Sequence, residues 1–401
     1  MTLQDWLNTL ELSQRQTDPP APVRCAEILK RLGFKKCCPV MTVGGTNGKG
    51  STTHVLSAYL QALGKKVGRF TSPHLIHYNE RIAINAVAVS EHQIVAAFEK
   101  IKAVQGELEL GYFDYSLLAA LLIFGEAEVD WIVLEVGLGG RFDATNCLDT
   151  DCAVITTIHF DHTEVLGHDR ESIGFEKSGI MRQGQLAICG DASPPASLVQ
   201  HAKEIGAQLI LTNEQEFEID LPPTHFPKQN AYTALVALQA MAQKGLLVWN
   251  QALFCEKVAK LMIPGRMQIF PGRPEIIVDV AHNQESVEYL ADFLRSHPCE
   301  GATSAVFSVL KDKALPIMMQ AMQGCFTEWN LIELDSPRAL PLEVLRSEVE
   351  ASGVESTKIH AFSTIEQLMA SVTQRQEVGR VVVFGSVLIA SLFLKWYNAQ
   401  K

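Results

Sequence analysis

The sequence predicts two α/β domains, in which a larger domain built on a mainly parallel sheet precedes a smaller Rossmann-like domain. Short apolar runs alternate with helical patterns along the chain, a glycine-rich loop follows the first run, and Pro-Gly-Arg segments interrupt the pattern in the second half. Strands that alternate with helices form parallel sheets covered on both faces. A length of 401 residues also exceeds one ordinary domain.

The first domain is predicted to span residues 1–270. Pro39–Val43 is expected to form a strand that ends in two glycines, and residues 51–63 carry apolar side chains at helical spacing. Two further helical patterns lie between Gln229 and Leu261. Later apolar runs predict five more strands, at Lys66–Phe70, Trp131–Val136, Ala153–Ile158, Gln185–Cys189 and Gln208–Leu211.

The second domain is predicted to span residues 271–401. Pro264-Gly265-Arg266 and Pro271-Gly272-Arg273-Pro274 punctuate the chain just before it, which is typical of a domain boundary. The alternation then restarts, so we expect a smaller α/β unit. Its predicted strands are Glu275–Val280, Ser304–Val309, Trp329–Leu334 and Arg380–Phe384.

The composition argues against several classes of protein. Hydrophobic residues make up 47% of the chain and charged residues 20%, as in a packed globular protein. The formal net charge of -11 argues against a nucleic-acid-binding surface. Nine scattered cysteines favour free thiols, and neither a signal peptide nor a membrane span is predicted. We expect a cytoplasmic monomer without nucleic-acid or membrane partners.

The strongest local signal is the segment 44–52, GGTNGKGST, which follows the first apolar strand. Glycines let backbone N–H groups turn toward phosphate oxygens, and the helix dipole and the Lys49 cation favour the same anion. Ser51 offers a hydroxyl to Mg²⁺. The spacing departs from the usual P-loop, since a glycine separates Lys49 from Ser51. The alternative is a simple glycine-rich turn.

Glu135 ends the apolar strand at Trp131–Val136, at the edge of the sheet where ligands of open α/β folds gather. It is a candidate Mg²⁺ ligand, although a lone glutamate after a strand is more often only solvated. The glycine-rich segment 137–146 that follows favours a site but lacks the third glycine of a dinucleotide fingerprint.

His162 follows another predicted strand and could bind a metal ion through a ring nitrogen. The sequence His159-Phe160-Asp161-His162 also suggests a binuclear metallohydrolase, but no second cluster of such ligands occurs elsewhere. Lys177 closes a later helical segment, and its position alone would indicate a surface lysine.

In the second half, Arg266 lies at the domain boundary, and Asp279 and His282 lie where a strand gives way to a helix. Arg266 could reach a phosphate. An ordinary hinge arginine paired with a surface carboxylate, and a helix capped by Asn283, explain the same residues equally well.

Together these blocks resemble the Mur ligase superfamily, and within it the branch of dihydrofolate synthase/folylpolyglutamate synthase. The similarity extends from the glycine-rich loop to the end of the chain. The matching blocks are Gly45–Ser51, Ser72–Leu75, Glu80-Arg81, Tyr112–Asp114, Glu135–Asn146, Asp161–Thr163, Glu176–Gly179, Gln229–Ala231, Pro264–Arg266, Asp279–Asn283, Leu310–Lys313 and Phe384–Ser386.

The resemblance implies a P-loop ligase that uses ATP to join L-glutamate to dihydropteroate and then to reduced folates, with the second domain closing onto ATP. By this analogy, two Mg²⁺ ions are held by Ser51, Ser72, Glu135 and His162. The catalytic set is Lys49, Glu135, His162 and Lys177. The implied ATP contacts are Thr46, Asn47, Gly48, Lys49, Gly50, Ser51, Asn230, Arg266, Asp279 and His282.

The resemblance also implies a carbamylated Lys177, since the family commonly carries that modification at this position, and a monovalent-cation requirement is compatible with it. Phe113, Asp143 and Ala144 match positions near the pterin. Arg338 and Ser386 match positions that hold the incoming glutamate.

Two departures from the family pattern bear on the acceptor substrate. Thr17–Arg24 replaces a Leu-Gly-Leu-Glu-Arg-type stretch, and Asp114 stands where glutamate is commoner. A bifunctional enzyme is the leading hypothesis. The alternatives are a monofunctional folylpolyglutamate synthase and a non-catalytic nucleotide-binding module.

Overall fold

The chain was analysed as a computed structural model, which describes residues 1–12, 18–214 and 219–400. It divides into two compact units, Met1–Leu261 and the residues from Met262 onward. Each unit contains one sheet. The α/β fold with two mainly parallel sheets, predicted from the alternating pattern, is confirmed.

The sheet of the first unit has eight strands in the order β4-β3-β2-β5-β1-β6-β7-β8. The six strands from β2 to β8 in this order are parallel, whereas β3 and β4 extend one edge in antiparallel fashion. The strands are β1 (Val40–Gly44), β2 (Val67–Phe70), β3 (Ile82–Ile84), β4 (Val87–Ala88), β5 (Trp131–Glu135), β6 (Cys152–Ile155), β7 (Leu186–Cys189) and β8 (Gln208–Leu211).

Helices cover both faces of this sheet. Helix α3 packs on β1, β2 and β5, and α5 packs on β2. Ten helices are described in this unit: α1 (Leu3–Leu12), α2 (Ala21–Arg31), α3 (Lys49–Ala62), α4 (Glu91–Gln105), α5 (Tyr112–Glu126), α6 (Thr163–Leu166), α7 (Arg170–Ser178), α8 (Ala196–Ile205), α9 (Lys228–Gln243) and α10 (Gln251–Lys260). Short 3-10 helices occur at Tyr78–Arg81, Ala144–Cys147 and Thr212–Glu214.

The second unit has a six-stranded sheet in the order β13-β12-β11-β14-β10-β9, parallel except for β9. Its strands are β9 (Gln268–Phe270), β10 (Glu275–Val278), β11 (Ala302–Phe307), β12 (Glu328–Ile332), β13 (Ile359–Phe362) and β14 (Val378–Phe384). Its helices are α11 (Gln284–Ser296), α12 (Leu315–Ala321), α13 (Leu342–Ala351), α14 (Ile365–Thr373) and α15 (Val387–Ala399), with a 3-10 helix at Ser356–Lys358.

The boundary between the units lies earlier in the chain than the boundary predicted at 270/271. The reason is β9, which pairs antiparallel with β10 and so belongs to the second sheet. A strand of three residues carries too little periodicity to be recognised. The Pro-Gly-Arg segment at 264–266 therefore lies inside the second unit.

Several predicted strands end earlier in the structure than in the sequence analysis. The strand predicted at Ala153–Ile158 ends at Ile155, and the strand predicted at Glu275–Val280 ends at Val278. In both cases the apolar pattern continues past the last ladder residue, where the backbone turns into a loop. The first of these loops contains His162, and the second contains Asp279 and His282.

The stretch Thr17–Arg24, which departs from the family pattern, leads into a helix. Thr17 lies outside the described residues, whereas α2 begins at Ala21 after Pro20, with Pro22 in its first turn. Proline suits this position because the first N–H groups of a helix have no intrahelical acceptor. In the described part of the chain, no helix combines the length and apolarity needed to cross a membrane.

A buried ion pair fixes α2 to α5. Arg24 donates from Nε to Asp114 Oδ2 at 2.8 Å, and its Nη2 lies 2.8 Å from the same oxygen. Both side chains are almost fully buried. Asp114 also accepts from the N–H of Gly111 at 2.9 Å, at the start of α5. Asp114, which stands where glutamate is commoner in the family, therefore serves as a helix cap and as the partner of Arg24.

Replacing Arg24 with methionine is expected to lower the free energy of unfolding of the first unit by about 3 kcal/mol, because it leaves the Asp114 carboxylate buried without its countercharge. Urea denaturation measures this loss. Lys100→Met is the matched control, since Lys100 pairs with Glu126 at the surface and should cost less than about 1 kcal/mol. Equal losses would show that the buried pair has no special role.

Candidate active site

The glycine-rich loop is held against the chain that follows β6. Gly45 has φ +140°, and a Cβ at this position would lie 1.9 Å from Thr156 Oγ1. Thr46 donates its N–H to Thr157 O at 2.7 Å and its hydroxyl to His159 O at 3.1 Å. Only glycine fits such a close approach, so the loop has a fixed shape.

The loop leads into α3 at Gly48, which has a left-handed φ of +82°. A Cβ at this position would lie 2.2 Å from Asn230 Oδ1. Asn230 belongs to α9 and is buried, and its carbonyl accepts from Thr52 Oγ1 at 3.4 Å. The structure therefore brings Asn230, which is far away in sequence, against the glycine-rich loop.

Two lysines donate to the same carbonyl oxygen in this loop. Lys49 Nζ lies 3.1 Å and Lys177 Nζ 2.8 Å from Gly45 O. Lys49 also donates to Thr46 O at 3.0 Å. Lys177 is only 3% exposed, which overturns the surface position that its place in the sequence alone would indicate.

Burial lowers the pKa of Lys177 to about 7, and the nearby positive charge of Lys49 lowers it further, against the opposing effect of Asp161 and Asp143. A large fraction of this amine is therefore neutral near neutral pH. A neutral amine is nucleophilic, whereas an ammonium group is not.

Glu135 lies at the end of β5 beside the first turn of α3 and is 3% exposed. A Cβ on Gly50 would lie 3.5 Å from each of its carboxylate oxygens. Ser72, which follows β2, donates its N–H to Glu135 Oε2 at 3.0 Å. The structure thus brings Glu135 next to Ser72 and to the turn that carries the buried Ser51.

His162 has a left-handed φ of +51° and precedes α6. Its ring is 40% exposed, and Nε2 lies 3.9 Å from Asp161 Oδ1. No group of three or more His, Cys, Asp or Glu side chains positioned for a metal ion occurs within residues 1–12, 18–214 and 219–400. Metal binding through Glu135 or His162 would therefore need additional oxygens, such as serine hydroxyls and oxygens of a ligand.

Phe113 and Asp143 lie together next to Gly137, and Ala144 follows Asp143 in the chain. A Cβ on Gly137 would lie 2.7 Å from the ring of Phe113 and 3.1 Å from Asp143 Oδ2. Asp143 accepts from Leu138 N at 3.0 Å and from Thr145 N and Oγ1 at 3.0 and 2.6 Å. Burial raises the pKa of Asp143, although these hydrogen bonds oppose the shift. Ala144 is buried.

In the second unit, Asp279 organises the loop after β10. Its carboxylate accepts from Met267 N and from Ala281 N, both at 2.7 Å. Burial raises the pKa of Asp279, and the Arg266 charge counters this shift. His282 Nδ1 lies 2.8 Å from Val280 O. Arg266, Asp279 and His282 are therefore neighbours within one unit.

The two residues matched to glutamate binding differ in their surroundings. Ser386 is buried and caps α15, where its Oγ accepts from Ile389 N at 3.3 Å. Arg338 is exposed in the loop after β12, and its carbonyl accepts from Lys311 N at 3.0 Å. Both belong to loops that follow strands of the second sheet.

Comparisons with known proteins identify the family. A model described as Mur ligase middle domain matches residues 43–231, and one described as Mur ligase, glutamate ligase domain matches residues 265–387. The dihydrofolate synthase/folylpolyglutamate synthase of Escherichia coli (strain K12) is 39% identical over 360 residues, covering 86% of this chain and 84% of the relative. The chain belongs to this family of Mur ligases.

Two solved structures of Mur ligases of this family are similar along the whole chain. Escherichia coli FolC in complex with DHPP and ADP has a TM-score of 0.92 and 34% identity, covering 100% of this chain and 98% of that chain. A bifunctional folylpolyglutamate synthase/dihydrofolate synthase with Mn, AMPPNP and L-glutamate bound has a TM-score of 0.90 and 33% identity, covering 99% and 98%.

Some residues of this Mur ligase site were not singled out in the sequence. Thr156 and Thr157 hold the glycine-rich loop. In the sequence, a pair of threonines at the carboxyl end of a predicted strand is the only local indication of this role. Arg69 lies in β2 between apolar neighbours. A charged residue inside a buried strand is uncommon, and such a residue indicates a functional position.

Gly48→Ala is expected to weaken binding of a non-hydrolysable ATP analogue at least roughly tenfold, because the new Cβ would displace Asn230 and strain a left-handed backbone. Calorimetric titration measures this loss. Gly64→Ala is the matched control, because Gly64 has φ +76° with no atom within 4 Å of its Cβ position. The control should lose stability through backbone strain but retain nucleotide affinity. Unchanged binding by Gly48→Ala would contradict the proposed loop function.

Proposed function

We propose that this chain is a bifunctional dihydrofolate synthase and folylpolyglutamate synthase, which uses ATP to add L-glutamate to dihydropteroate and then to reduced folates. Family membership supports an ATP-dependent carboxylate-amine ligase. The observation that carries the proposal is the pair of lysines that donate to Gly45 O, in a loop that leads into the helix turn next to Glu135. Such a site suits phosphoryl transfer to a carboxylate.

A carboxylate does not form an amide directly, because its oxygen is a poor leaving group. The γ-phosphoryl group of ATP first moves to a carboxylate oxygen, which gives an acyl phosphate and ADP. The glutamate nitrogen then attacks the acyl carbon, the bond to the phosphate oxygen breaks, and the amine loses a proton. Lys49 and the loop N–H groups hold the phosphates and neutralise charge during the first step.

The residues around Glu135 fit Mg²⁺, which prefers oxygen ligands and keeps few protein contacts. Ser51 and Glu135 would hold one ion, and Ser72, Glu135 and His162 a second. When bound, the ions would neutralise phosphate charge. A solved relative supports the presence of a divalent metal ion, since it holds Mn with AMPPNP.

Lys177 fits a carbamate. A neutral lysine amine attacks CO₂, its nitrogen forms a bond to carbon, and loss of a proton leaves an anion. The lowered pKa of Lys177, about 7, supplies the neutral amine this reaction needs. The resulting anion would offset the charge of Lys49 and would favour a cation nearby. A monovalent cation is a further requirement compatible with this charge pattern.

The remaining assignments extend the proposal to the other substrates. Asn230, Arg266, Asp279 and His282 are proposed nucleotide contacts, in addition to Thr46, Asn47 and Gly50. Phe113, Asp143 and Ala144 are proposed to line the pterin site, which the cluster around Gly137 supports. Arg338 and Ser386 are proposed to hold the incoming glutamate.

Phosphate release with MgATP and L-glutamate tests the function directly. We expect turnover with dihydropteroate and with tetrahydrofolate, and none without glutamate. Lys49→Met should lower kcat/KM by about 10²–10³-fold through loss of phosphate stabilisation, whereas exposed Lys65→Met should behave as the parent. Turnover with tetrahydrofolate alone would select a monofunctional polyglutamate synthase. ATP binding without turnover would select a non-catalytic module.

Lys177→Ala is expected to lower kcat by about 10²–10³-fold, and short carboxylates such as acetate or propionate should restore part of the activity by occupying the place of the carbamate. Lys177→Met is the control, because its side chain fills that space and should prevent rescue. Intact mass spectrometry under bicarbonate checks the modification itself. Full activity of both variants would exclude the carbamate.

The stability of the same variants gives an independent check. Between pH 7 and 10.5 the unfolded chain binds more protons at Lys177 than the folded chain, because the pKa falls from 10.5 to about 7 on folding. The contribution of this group to stability therefore rises with pH across that window and is lowest below pH 7. Lys177→Met should remove this dependence.

A further inference from the structure

Arg69 lies on the face of the first sheet that carries Glu135. A Cβ on its neighbour Gly68 would meet the Phe124 ring of α5 at 2.6 Å, so Arg69 points to the opposite face, since side chains alternate along a strand. Arg69 pairs with Val133 of β5, two residues before Glu135. Gly50 of α3 contacts the Glu135 carboxylate from that same face.

Burying the guanidinium of Arg69 in β2 costs free energy. Its Nε atom is fully buried and has no hydrogen-bond partner among the described residues. Burial lowers the pKa of Arg69 to about 10, and the Glu135 charge opposes this shift. Leaving a buried charged group without a close partner is unfavourable. A leucine or valine would fit the apolar strand Val67–Phe70 better.

The surroundings of Glu135 therefore include two positive charges. Lys49 begins α3 next to Gly50, which lies against the Glu135 carboxylate, and Arg69 lies in the neighbouring strand β2. In a partly buried environment these charges are weakly screened. A divalent cation entering alone would meet repulsion, whereas the phosphates of a nucleotide would be attracted and would cancel it.

We propose that Arg69 is a positioning residue whose charge makes divalent-cation binding at Glu135 depend on a bound nucleotide. The metal would enter with the nucleotide phosphates, and the site would not fill with metal alone. This inference rests on the proposed role of Glu135 as a metal ligand. It concerns a residue outside the glycine-rich loop and outside the ligand set assigned above.

The test is a titration of the full-length protein with Mn²⁺, followed by electron paramagnetic resonance, with and without AMPPNP. We expect Arg69→Leu to tighten Mn²⁺ binding about tenfold without nucleotide, on the order of the effect of one removed charge several ångströms away. With AMPPNP the affinity should change less than about threefold, because the phosphates dominate the local potential. Arg69→Lys, which retains the charge, should resemble the parent.

Two further variants test whether poor folding or a general loss of positive charge explains a change in Mn²⁺ binding. Arg69→Gln removes the charge but keeps a polar side chain, so it should reproduce the tighter binding even if Arg69→Leu folds poorly. Arg346→Leu removes a partly exposed arginine, paired with Glu350, from the second unit and should not change Mn²⁺ binding. Thermal unfolding adds a separate readout: Arg69→Leu should raise Tm by roughly 2–4 °C, whereas a purely structural role predicts a fall.

Glu135→Gln separates failure of this inference from failure of the proposed metal site. If Glu135→Gln leaves Mn²⁺ binding with AMPPNP intact, the metal role of Glu135 is wrong and this inference falls with it. If Glu135→Gln abolishes that binding but neither Arg69→Leu nor Arg69→Gln tightens binding without nucleotide, only the inference about Arg69 is overturned. Equal changes with and without nucleotide would overturn it as well.

Discussion

The site depends on one carbonyl oxygen, that of Gly45, which accepts hydrogen bonds from both Lys49 and Lys177. A carbonyl can accept two donors, but the two charges it holds together repel each other, and Lys177 is buried as well. The system lowers this electrostatic energy by neutralising Lys177, by converting it to an anion, or by binding anions nearby. The last of these outcomes places a polyphosphate next to the loop.

The same constraint explains the close packing around the loop. Gly45 must approach Thr156, and Gly48 must approach Asn230, at distances that exclude any side chain. These contacts fix the direction of the Gly45 carbonyl, and so they fix where the two ammonium groups meet. A looser loop would let the lysines separate, and the part of the lowered pKa of Lys177 that comes from the Lys49 charge would be lost.

The sequence predicted the helices and strands better than it predicted which residues contact each other. Alternating apolar runs predicted the parallel strands except β13, and the glycine-rich loop predicted the start of α3, because both signals are local. The short antiparallel strands β3, β4 and β9 were not predicted, since two or three residues show no periodicity. The family pattern pointed to Lys177 and Asn230, but only the fold shows that both lie against the same loop. The partner of Asp114 could not be foreseen either, because Arg24 lies far from it in sequence.

The two units offer their ligands different kinds of groups. Helix α3 begins at Gly48, which has no side chain to cap the first turn, so its N–H groups suit an external anion. In the second unit, α11 is capped by Asn283 and α15 by Ser386, whose oxygens accept from N–H groups of their own helices. At each of these two helix ends the cap of the helix itself already occupies one N–H group, and the proposed ligand contacts of the second unit are side chains such as Arg266 and His282. The capping bond uses Ser386 Oγ only as an acceptor. Its hydroxyl hydrogen remains available to a carboxylate, so capping α15 and holding the incoming glutamate are compatible roles for one residue.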